Sequence, residues 1–202
     1  MIKRIFKNKI KEVATTQPLF VSFKENSRCK KVISIKPSNM EKQIVFDFNK
    51  TSNIKNWIVV DDAVMGGKSV GSFELSNEGN GVFKGNVSLE NNGGFSSVKY
   101  KFSKLYIENA TVMILRIKGD GKNYQFRLKA NSEDKHAYIS KFSTTGEWQE
   151  IEIPLQNMYP SFRGKKLDIP NFSEESIEEI AFLIANKNAE YFELAIDAIE
   201  LK

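Results

Sequence analysis

The strongest constraint on the fold is an alternation of apolar and polar residues that recurs from residue 43 onward. In segment 124–130, Tyr, Phe, Leu and Ala alternate with Gln, Arg and Lys, and segments 81–89 and 151–155 repeat this pattern. Successive side chains of a β-strand point to opposite faces of a sheet, so this period is typical of half-buried antiparallel strands. About ten such segments, joined by turns rich in Gly, Asn and Asp, predict an all-β sandwich or barrel.

Three segments depart from simple alternation. Segment 111–117 is apolar on both faces, which predicts a central strand. The alternation in the last strand shifts its phase at residues 197–198, which predicts a β-bulge. Segment 173–179 is rich in Ser and Glu, with Asn171 as a candidate cap and Glu174 three residues later. This spacing predicts one short helix near 173–179, followed by a strand.

Positive charge is concentrated at the start of the chain. Residues 1–40 hold ten Lys or Arg and two Glu, whereas residues 41–202 hold twenty Lys or Arg and twenty-three Asp or Glu. The larger part is therefore mildly acidic, and its charge argues against nucleic acid as a partner. We expect residues 1–40 to be a basic, loosely ordered extension and residues 41–202 to be the β-sandwich domain. A mitochondrial presequence is the alternative for the extension, although Lys predominates over Arg and Glu12 and Glu25 are present.

Cysteine content and hydropathy limit the cellular setting. Cys29 is the single cysteine, so the chain has no internal disulfide framework. No apolar run approaches the ~18 residues that a transmembrane helix needs, which leaves only peripheral membrane association open. We expect a cytoplasmic location, with a mitochondrial one as the alternative if the source is eukaryotic.

Segment 60–73, VDDAVMGGKSVGSF, contains two motifs that would indicate an enzyme if their context were right. A phosphate-binding P-loop ending at Gly67-Lys68-Ser69 needs its first glycine at position 62, which is Asp62. Residues 67–71 also match the Gly-x-Ser-x-Gly nucleophile elbow, and Asp120 and His136 follow in the required order. Both motifs require a helix after the serine, whereas residues 70–75 alternate like a strand. We interpret both matches as coincidental and predict a protein that is not an enzyme.

The remaining acids and tryptophans have ordinary explanations. Asp61 and Asp62 would point to opposite faces of a strand, so we expect one to cap a turn and the other to face water. Asp47 and Asp197 could contribute to a calcium site, but a structural carboxylate is favoured for each, and we predict no metal and no cofactor. Trp57 and Trp148 could form a sugar-stacking platform, although packing in the core or at its rim is favoured.

Several segments in collinear order closely resemble one family. They are Trp57, 60–69, 81–85, 87–98, 117–127, 146–148, 151–154 and 159–164. Together they resemble the complex I intermediate-associated protein 30 family over residues 43–202. The resemblance implies a jelly-roll β-sandwich of the galactose-binding-domain type. It also implies a chaperone-like role, because the mitochondrial members help to assemble respiratory NADH dehydrogenase.

The resemblance leads to one functional expectation and one alternative. We expect a non-enzymatic, protein-binding factor whose partners are NADH dehydrogenase subunits or assembly intermediates. The alternative is a jelly-roll module that binds carbohydrate or another small ligand. For either function we expect loops 61–69 and 91–97 to meet at one end of the sandwich, with two arginines supplying counter-charges. The candidate residues are Asp61, Asp62, Met65, Gly66, Gly67, Asn92, Gly93, Gly94, Phe95, Arg127 and Arg163.

Overall fold

The computed structural model describes residues 42–202, which form thirteen β-strands and three short 3-10 helices. The expectations for residues 1–40, and for Cys29, lie outside these residues. The strands are β1 Gln43–Asp47, β2 Trp57–Asp61, β3 Val70–Leu75, β4 Gly81–Val87, β5 Ser96–Tyr106, β6 Val112–Lys118, β7 Asn123–Lys129, β8 Ala137–Ser143, β9 Trp148–Pro154, β10 Tyr159–Phe162, β11 Lys165–Lys166, β12 Ser176–Ile184 and β13 Glu190–Leu201. The 3-10 helices are Asp62–Met65, Glu90–Asn92 and Leu155–Asn157.

The strands form two antiparallel sheets. The first sheet has the order β3-β4-β13-β6-β9, and β1 also pairs with β13. The second sheet has the order β11-β10-β8-β7-β12-β5-β2. The apolar residues of the two inner faces pack into one core, which confirms the predicted β-sandwich.

The alternation of residues predicts the inner and outer faces correctly. In β7, Tyr124, Phe126 and Leu128 are buried in the core, and the intervening residues face outward. Strand β6 lies between β13 and β9 and is buried along most of its length, as predicted for a central strand. The pairing of β13 with β6 shifts between Ile196 and Ala198, which confirms the predicted bulge.

The prediction of a helix near 173–179 is wrong. Strand β12 begins at Ser176 and pairs with β5 on one side and β7 on the other. Its pairing with β5 shifts between Ile177 and Glu179, so a bulge interrupts the alternation that would otherwise have indicated a strand. Strand β5 pairs with Ser176 and Ile177, and β7 pairs with the chain from Glu179 onward, so sheet pairing outweighs the local capping signal.

The two tryptophans do not form a platform. Trp57 is 6% exposed and its ring lies between those of Phe73 and Tyr100, with centroids 4.9 Å and 5.0 Å away. Trp148 begins β9 on the first sheet, whereas Trp57 begins β2 on the second. Packing in the core therefore accounts for Trp57, and Trp148 is 40% exposed. Within residues 42–202, no helix is long and apolar enough to cross a membrane.

Candidate functional site

Two loops lie side by side at one end of the sandwich, and we call residues 62–69 and 88–95 the loop pair. The first loop leaves β2 in the second sheet and enters β3 in the first, and the second loop leaves β4 in the first sheet and enters β5 in the second. Strands β2 and β5 are neighbours, as are β3 and β4. Both connections must therefore cross between the sheets at the same place, as the sequence hypothesis required.

The carboxylate of Asp62 fastens the loop pair together. Its Oδ1 accepts a hydrogen bond from the backbone N–H of Ser69 at 2.9 Å. Its Oδ2 accepts from the Ser69 hydroxyl and from the backbone N–H groups of Gly94, at 2.6 Å, and Phe95, at 3.2 Å. Asp62 is fully buried, so it cannot contact a partner directly. Its role is to shape the surface above it.

The pKa of Asp62 is lowered from its ordinary value of 3.8. Burial acts in the opposite direction, because it disfavours the charged form. The hydrogen bonds from Ser69, Gly94 and Phe95 stabilise the carboxylate and outweigh this effect. Asp62 is thus an ionised, internal hydrogen-bond acceptor rather than a candidate proton donor near neutral pH.

The glycines of the loop pair have two separate functions. A Cβ atom on Gly67 or Gly93 would overlap the carboxylate of Asp62, so both positions require a residue without a side chain. Gly66 and Gly94 instead adopt φ angles of 90° and 131°, which other residues rarely adopt. The first pair lets Asp62 approach the backbone, and the second pair turns the chain around it.

Asp61 also has a structural role. Its Oδ2 accepts from the backbone N–H of Gly71 at 2.9 Å, and its Oδ1 accepts from the hydroxyl of Ser96. The half-buried carboxylate therefore links β3 of the first sheet to β5 of the second. The expectation that one of the two acids would face water is wrong.

The exposed part of the loop pair is formed by other residues. Leu89 is 46% exposed, and Asn91 and Asn92 are exposed with φ angles of 55° and 60°. The side-chain amide of Asn91 donates to the carbonyl of Gly66 at 3.0 Å, which joins the two loops again at the surface. Met65 is the last residue of the 3-10 helix Asp62–Met65.

The two candidate arginines do not neutralise Asp61 or Asp62. Arg127 lies on β7, and its guanidinium donates to the side chain of Gln125. Arg163 lies in the turn between β10 and β11, with its guanidinium 5.3 Å from the centre of the Phe162 ring. Five strand intervals of about 4.8 Å each separate β10 from β2, so Arg163 is remote from the loop pair. The prediction that Arg127 and Arg163 supply counter-charges is therefore wrong. Hydrogen bonds alone satisfy both aspartates.

The P-loop and nucleophile-elbow matches in segment 60–73 lack catalytic geometry in the structure. Residues 70–75 form strand β3, so the helix that a P-loop or a nucleophile elbow needs is replaced by a strand. Ser69 is 2% exposed, and its hydroxyl is bonded to Asp62 and the backbone of Ser88. Asp120 accepts from Lys122, Tyr124 and the backbone of Glu193 rather than from a histidine.

Of the two candidate calcium ligands, Asp197 has a side-chain partner in the fold. Asp197 pairs with Arg116 at 3.2 Å, and Asp47 lies opposite Ala198 in the pairing of β1 with β13. Among the described residues, no three His, Cys, Asp or Glu side chains are close enough to hold a metal ion.

Sequence reasoning missed a cleft on the outer face of the second sheet. Phe95 and Arg127 line it and were candidates, but Lys99, Lys129 and Glu179 were not. Their signal was available, because all three are polar residues at outward positions of strands. It was weak because outward polar residues are usual on any antiparallel sheet.

Comparison with known proteins identifies the family. A sequence model described as Complex I intermediate-associated protein 30 matches residues 46–196. The chain belongs to this family. The matched region contains the whole loop pair, including Asp62.

Two curated members of the complex I intermediate-associated protein 30 family are similar to the chain, and both are named as mitochondrial. The Drosophila melanogaster protein is 25% identical over 150 residues, which cover 63% of this chain and 51% of the relative. The Mus musculus protein is 24% identical over 180 residues, which cover 78% of this chain and 55% of the relative. The chain thus spans about half the length of these relatives.

Solved structures confirm the jelly-roll, galactose-binding-like class of the fold. A family 11 carbohydrate-binding module from Clostridium thermocellum, solved with a β-1,3-1,4-mixed-linked tetrasaccharide, has a TM-score of 0.60 at 16% identity. The match covers 79% of this chain and 94% of that module. An exo-β-agarase has a TM-score of 0.52 at 9% identity, covering 79% of this chain and 25% of that enzyme. At these identities the likeness is one of fold alone.

Proposed function

We propose that this family member is a non-enzymatic, protein-binding factor that assists the assembly of respiratory NADH dehydrogenase. The observation that carries the proposal is the family match over residues 46–196, because the relatives are named for association with complex I intermediates. Their mitochondrial names support the mitochondrial alternative, and the cytoplasmic expectation has no support.

The loop pair is the surface that we assign to the partner. Leu89 is 46% exposed and provides apolar area, and Asn91 and Asn92 provide polar groups beside it. Val70, which begins β3 directly after the first loop, is 67% exposed and adds apolar area next to the loop pair. The internal hydrogen bonds of Asp62 hold this surface in one shape before binding. A preorganised surface loses less conformational entropy on association, which favours affinity.

The experiment is affinity capture from mitochondria with the full chain as bait. We expect the unaltered chain to enrich NADH dehydrogenase subunits. The variant Leu89→Lys should reduce the yield about fivefold, the effect of removing one apolar contact worth ~1 kcal/mol. Tyr106→Lys is the matched control, because Tyr106 is 60% exposed at the far end of β5 from the loop pair.

Three results would contradict this proposal. The first is that no NADH dehydrogenase subunit is enriched, and the second is that Leu89→Lys captures them as well as Tyr106→Lys does. The third is specific binding on a glycan array without any captured subunit, which would favour the alternative of a carbohydrate- or small-ligand-binding module. That alternative is supported by the fold of its neighbours alone.

A further inference from the structure

The cleft on the outer face of the second sheet is built around strand β12. Ala181 lies directly between Lys99 of β5 and Arg127 of β7 in the pairing of the three strands. Because the alanine side chain is short and its two neighbours are long, this row forms a depression with a cation on each side. The resulting cleft has a volume of about 230 Å³, and Phe95 and Lys129 also line it.

Arg127 is held in the cleft but its charge is not neutralised. Its Nε and Nη2 atoms donate to the Gln125 side-chain oxygen at 3.2 Å and 2.8 Å, which fixes the plane of the guanidinium. Two of the five N–H donors are used in this way, and three remain. Among the described residues, no carboxylate lies within ion-pair distance of Arg127. Burial lowers the pKa of this guanidinium because it disfavours the charged form, and a bound anion would offset this effect.

Glu179 is the one acid among the residues that line the cleft, and two lysines already surround it. Its Oε1 lies 3.6 Å from Nζ of Lys129, and its Oε2 lies 3.9 Å from Nζ of Lys101. Glu179 is 6% exposed. The lining carries the positive charges of Lys99, Arg127 and Lys129 against this single negative charge. The cleft is therefore locally positive on a domain that is mildly acidic.

We propose that this cleft binds a carboxylate side chain from an acidic segment of the protein partner. The proposal rests on the proposed function, since it names the chemistry of the partner. The remaining donors of Arg127 can form paired hydrogen bonds with a carboxylate, which is the geometry that guanidinium groups favour. Phe95 belongs to both the cleft and the loop pair, so the two surfaces adjoin.

Size and aromatic content favour one side chain over a drug-sized ligand or a sugar. A volume of about 230 Å³ is below the roughly 300–1,000 Å³ of pockets for drug-sized ligands, and it suits one side chain. Phe95 is the one aromatic residue among those lining the cleft, which leaves a sugar with little surface for stacking.

The test uses the full 202-residue chain and a fluorescein-labelled hexapeptide of alternating Glu and Leu with blocked ends. Fluorescence anisotropy should show that it binds at least about tenfold more tightly than the matching Gln-Leu peptide. Arg127→Gln should weaken binding about tenfold or more, because it removes charge-assisted hydrogen bonds. Arg127→Lys should weaken it less, since the charge remains. Arg116→Gln is the control, because Arg116 lies on the first sheet and pairs with Asp197.

Glu179→Gln gives a test of opposite sign. Removing the like charge should strengthen binding of the Glu-Leu peptide roughly three- to fivefold. A neutral sugar that used Glu179 as an acceptor would bind more weakly to this variant. Thermal unfolding of each variant shows whether it is folded at the temperature of the assay.

Several outcomes would overturn the proposal that the cleft binds a carboxylate. They are equal binding of the Glu-Leu and Gln-Leu peptides, unchanged binding by Arg127→Gln, or binding of inorganic phosphate or the mixed-linkage tetrasaccharide in preference to the peptide. The peptide assay does not depend on mitochondrial subunits. If capture fails while peptide binding persists, the assembly role is wrong and the cleft stands; if capture succeeds without peptide binding, the cleft is wrong.

Discussion

At the scale of single residues, Asp62 is the position on which the loop pair depends. Four donors from Ser69, Gly94 and Phe95 converge on its two oxygens. Asp62→Asn replaces one carboxylate oxygen, an acceptor, by an NH₂ group, which is a donor. This NH₂ group would face the N–H and O–H donors of the loop pair and could not accept their hydrogen bonds. We expect the free energy of unfolding to fall by about 3 kcal/mol, measured by urea denaturation. Asp168→Asn, at an exposed position, should change it by less than about 0.5 kcal/mol.

This prediction has a clear negative outcome. If Asp62→Asn and Asp168→Asn have the same stability, the four hydrogen bonds do not hold the loop pair. An unchanged urea m-value would show that the loss lies in the native contacts rather than in the compactness of the unfolded chain.

At the scale of elements, the first loop contains two adjacent glycines that are needed for different reasons. Gly66 has open space where a Cβ would lie, but its φ is 90°. Gly66→Ala should therefore cost only the backbone strain of about 1–2 kcal/mol. Gly67→Ala places a methyl group on the Asp62 carboxylate and should cost about 3 kcal/mol, because the carboxylate must leave its donors.

Amide hydrogen exchange distinguishes the two glycine variants. Gly67→Ala should speed exchange at the Gly94 and Phe95 amides in the second loop, because these amides donate hydrogen bonds to Asp62. Gly66→Ala should leave these two amides protected. Faster exchange in both variants, or in neither, would contradict the separate roles that we assign to the glycines.

The elements also show where sequence reasoning succeeds and where it stops. Strands such as β7 and the bulge in β13 follow from alternation, because side-chain direction is a local property of the backbone. Strand β12 was predicted as a helix at its start, because its bulge hides the alternation and its hydrogen-bond partners are distant in sequence. The meeting of the two loops was expected from the family resemblance.

The detailed contacts of the site could not be predicted in this way. The sequence indicates that Asp61 and Asp62 are unusual, but it does not show that Ser69 and Ser96 would satisfy their oxygens. The order of strands in the second sheet decides that Arg127 lies near Phe95 and that Arg163 does not. Pairing between distant strands is set by the whole core, so it leaves no local signal.

At the scale of the whole molecule, one buried and one half-buried carboxylate act at the same end of the sandwich. Asp62 joins the loop between β2 and β3 to the loop between β4 and β5, and Asp120 lies in the connection from β6 to β7. Asp120 accepts from the Tyr124 hydroxyl at 2.9 Å and from the backbone N–H of Glu193 at 3.0 Å, so it links β7 of the second sheet to β13 of the first. The register places the starts of β5 and β7 beside the end of β12, which brings both acids to one end.

This arrangement predicts that acid destabilises the end with the loop pair. The pKa values of Asp62 and Asp120 are lowered from 3.8, since hydrogen bonds to the charged form outweigh the opposing effect of burial in each case. A carboxyl group with a lower pKa in the folded state contributes stability above its unfolded pKa and loses it as pH falls through the folded pKa. We therefore expect the contribution of these two groups to the free energy of unfolding to be constant above about pH 5 and to fall below about pH 4.

Urea denaturation between pH 7 and pH 2.5 measures this loss, and Asp62→Asn provides the comparison. The variant lacks one titrating carboxylate, so its stability should fall less steeply below pH 4 than that of the unaltered chain. Hydrogen exchange at pH 3 should show the amides of Gly94 and Glu193, which donate to the two acids, opening before those in the middle of β12. Equal slopes for the two proteins would mean that Asp62 is not stabilised as an anion, and simultaneous opening would mean that acid unfolds the sandwich as one unit rather than from this end.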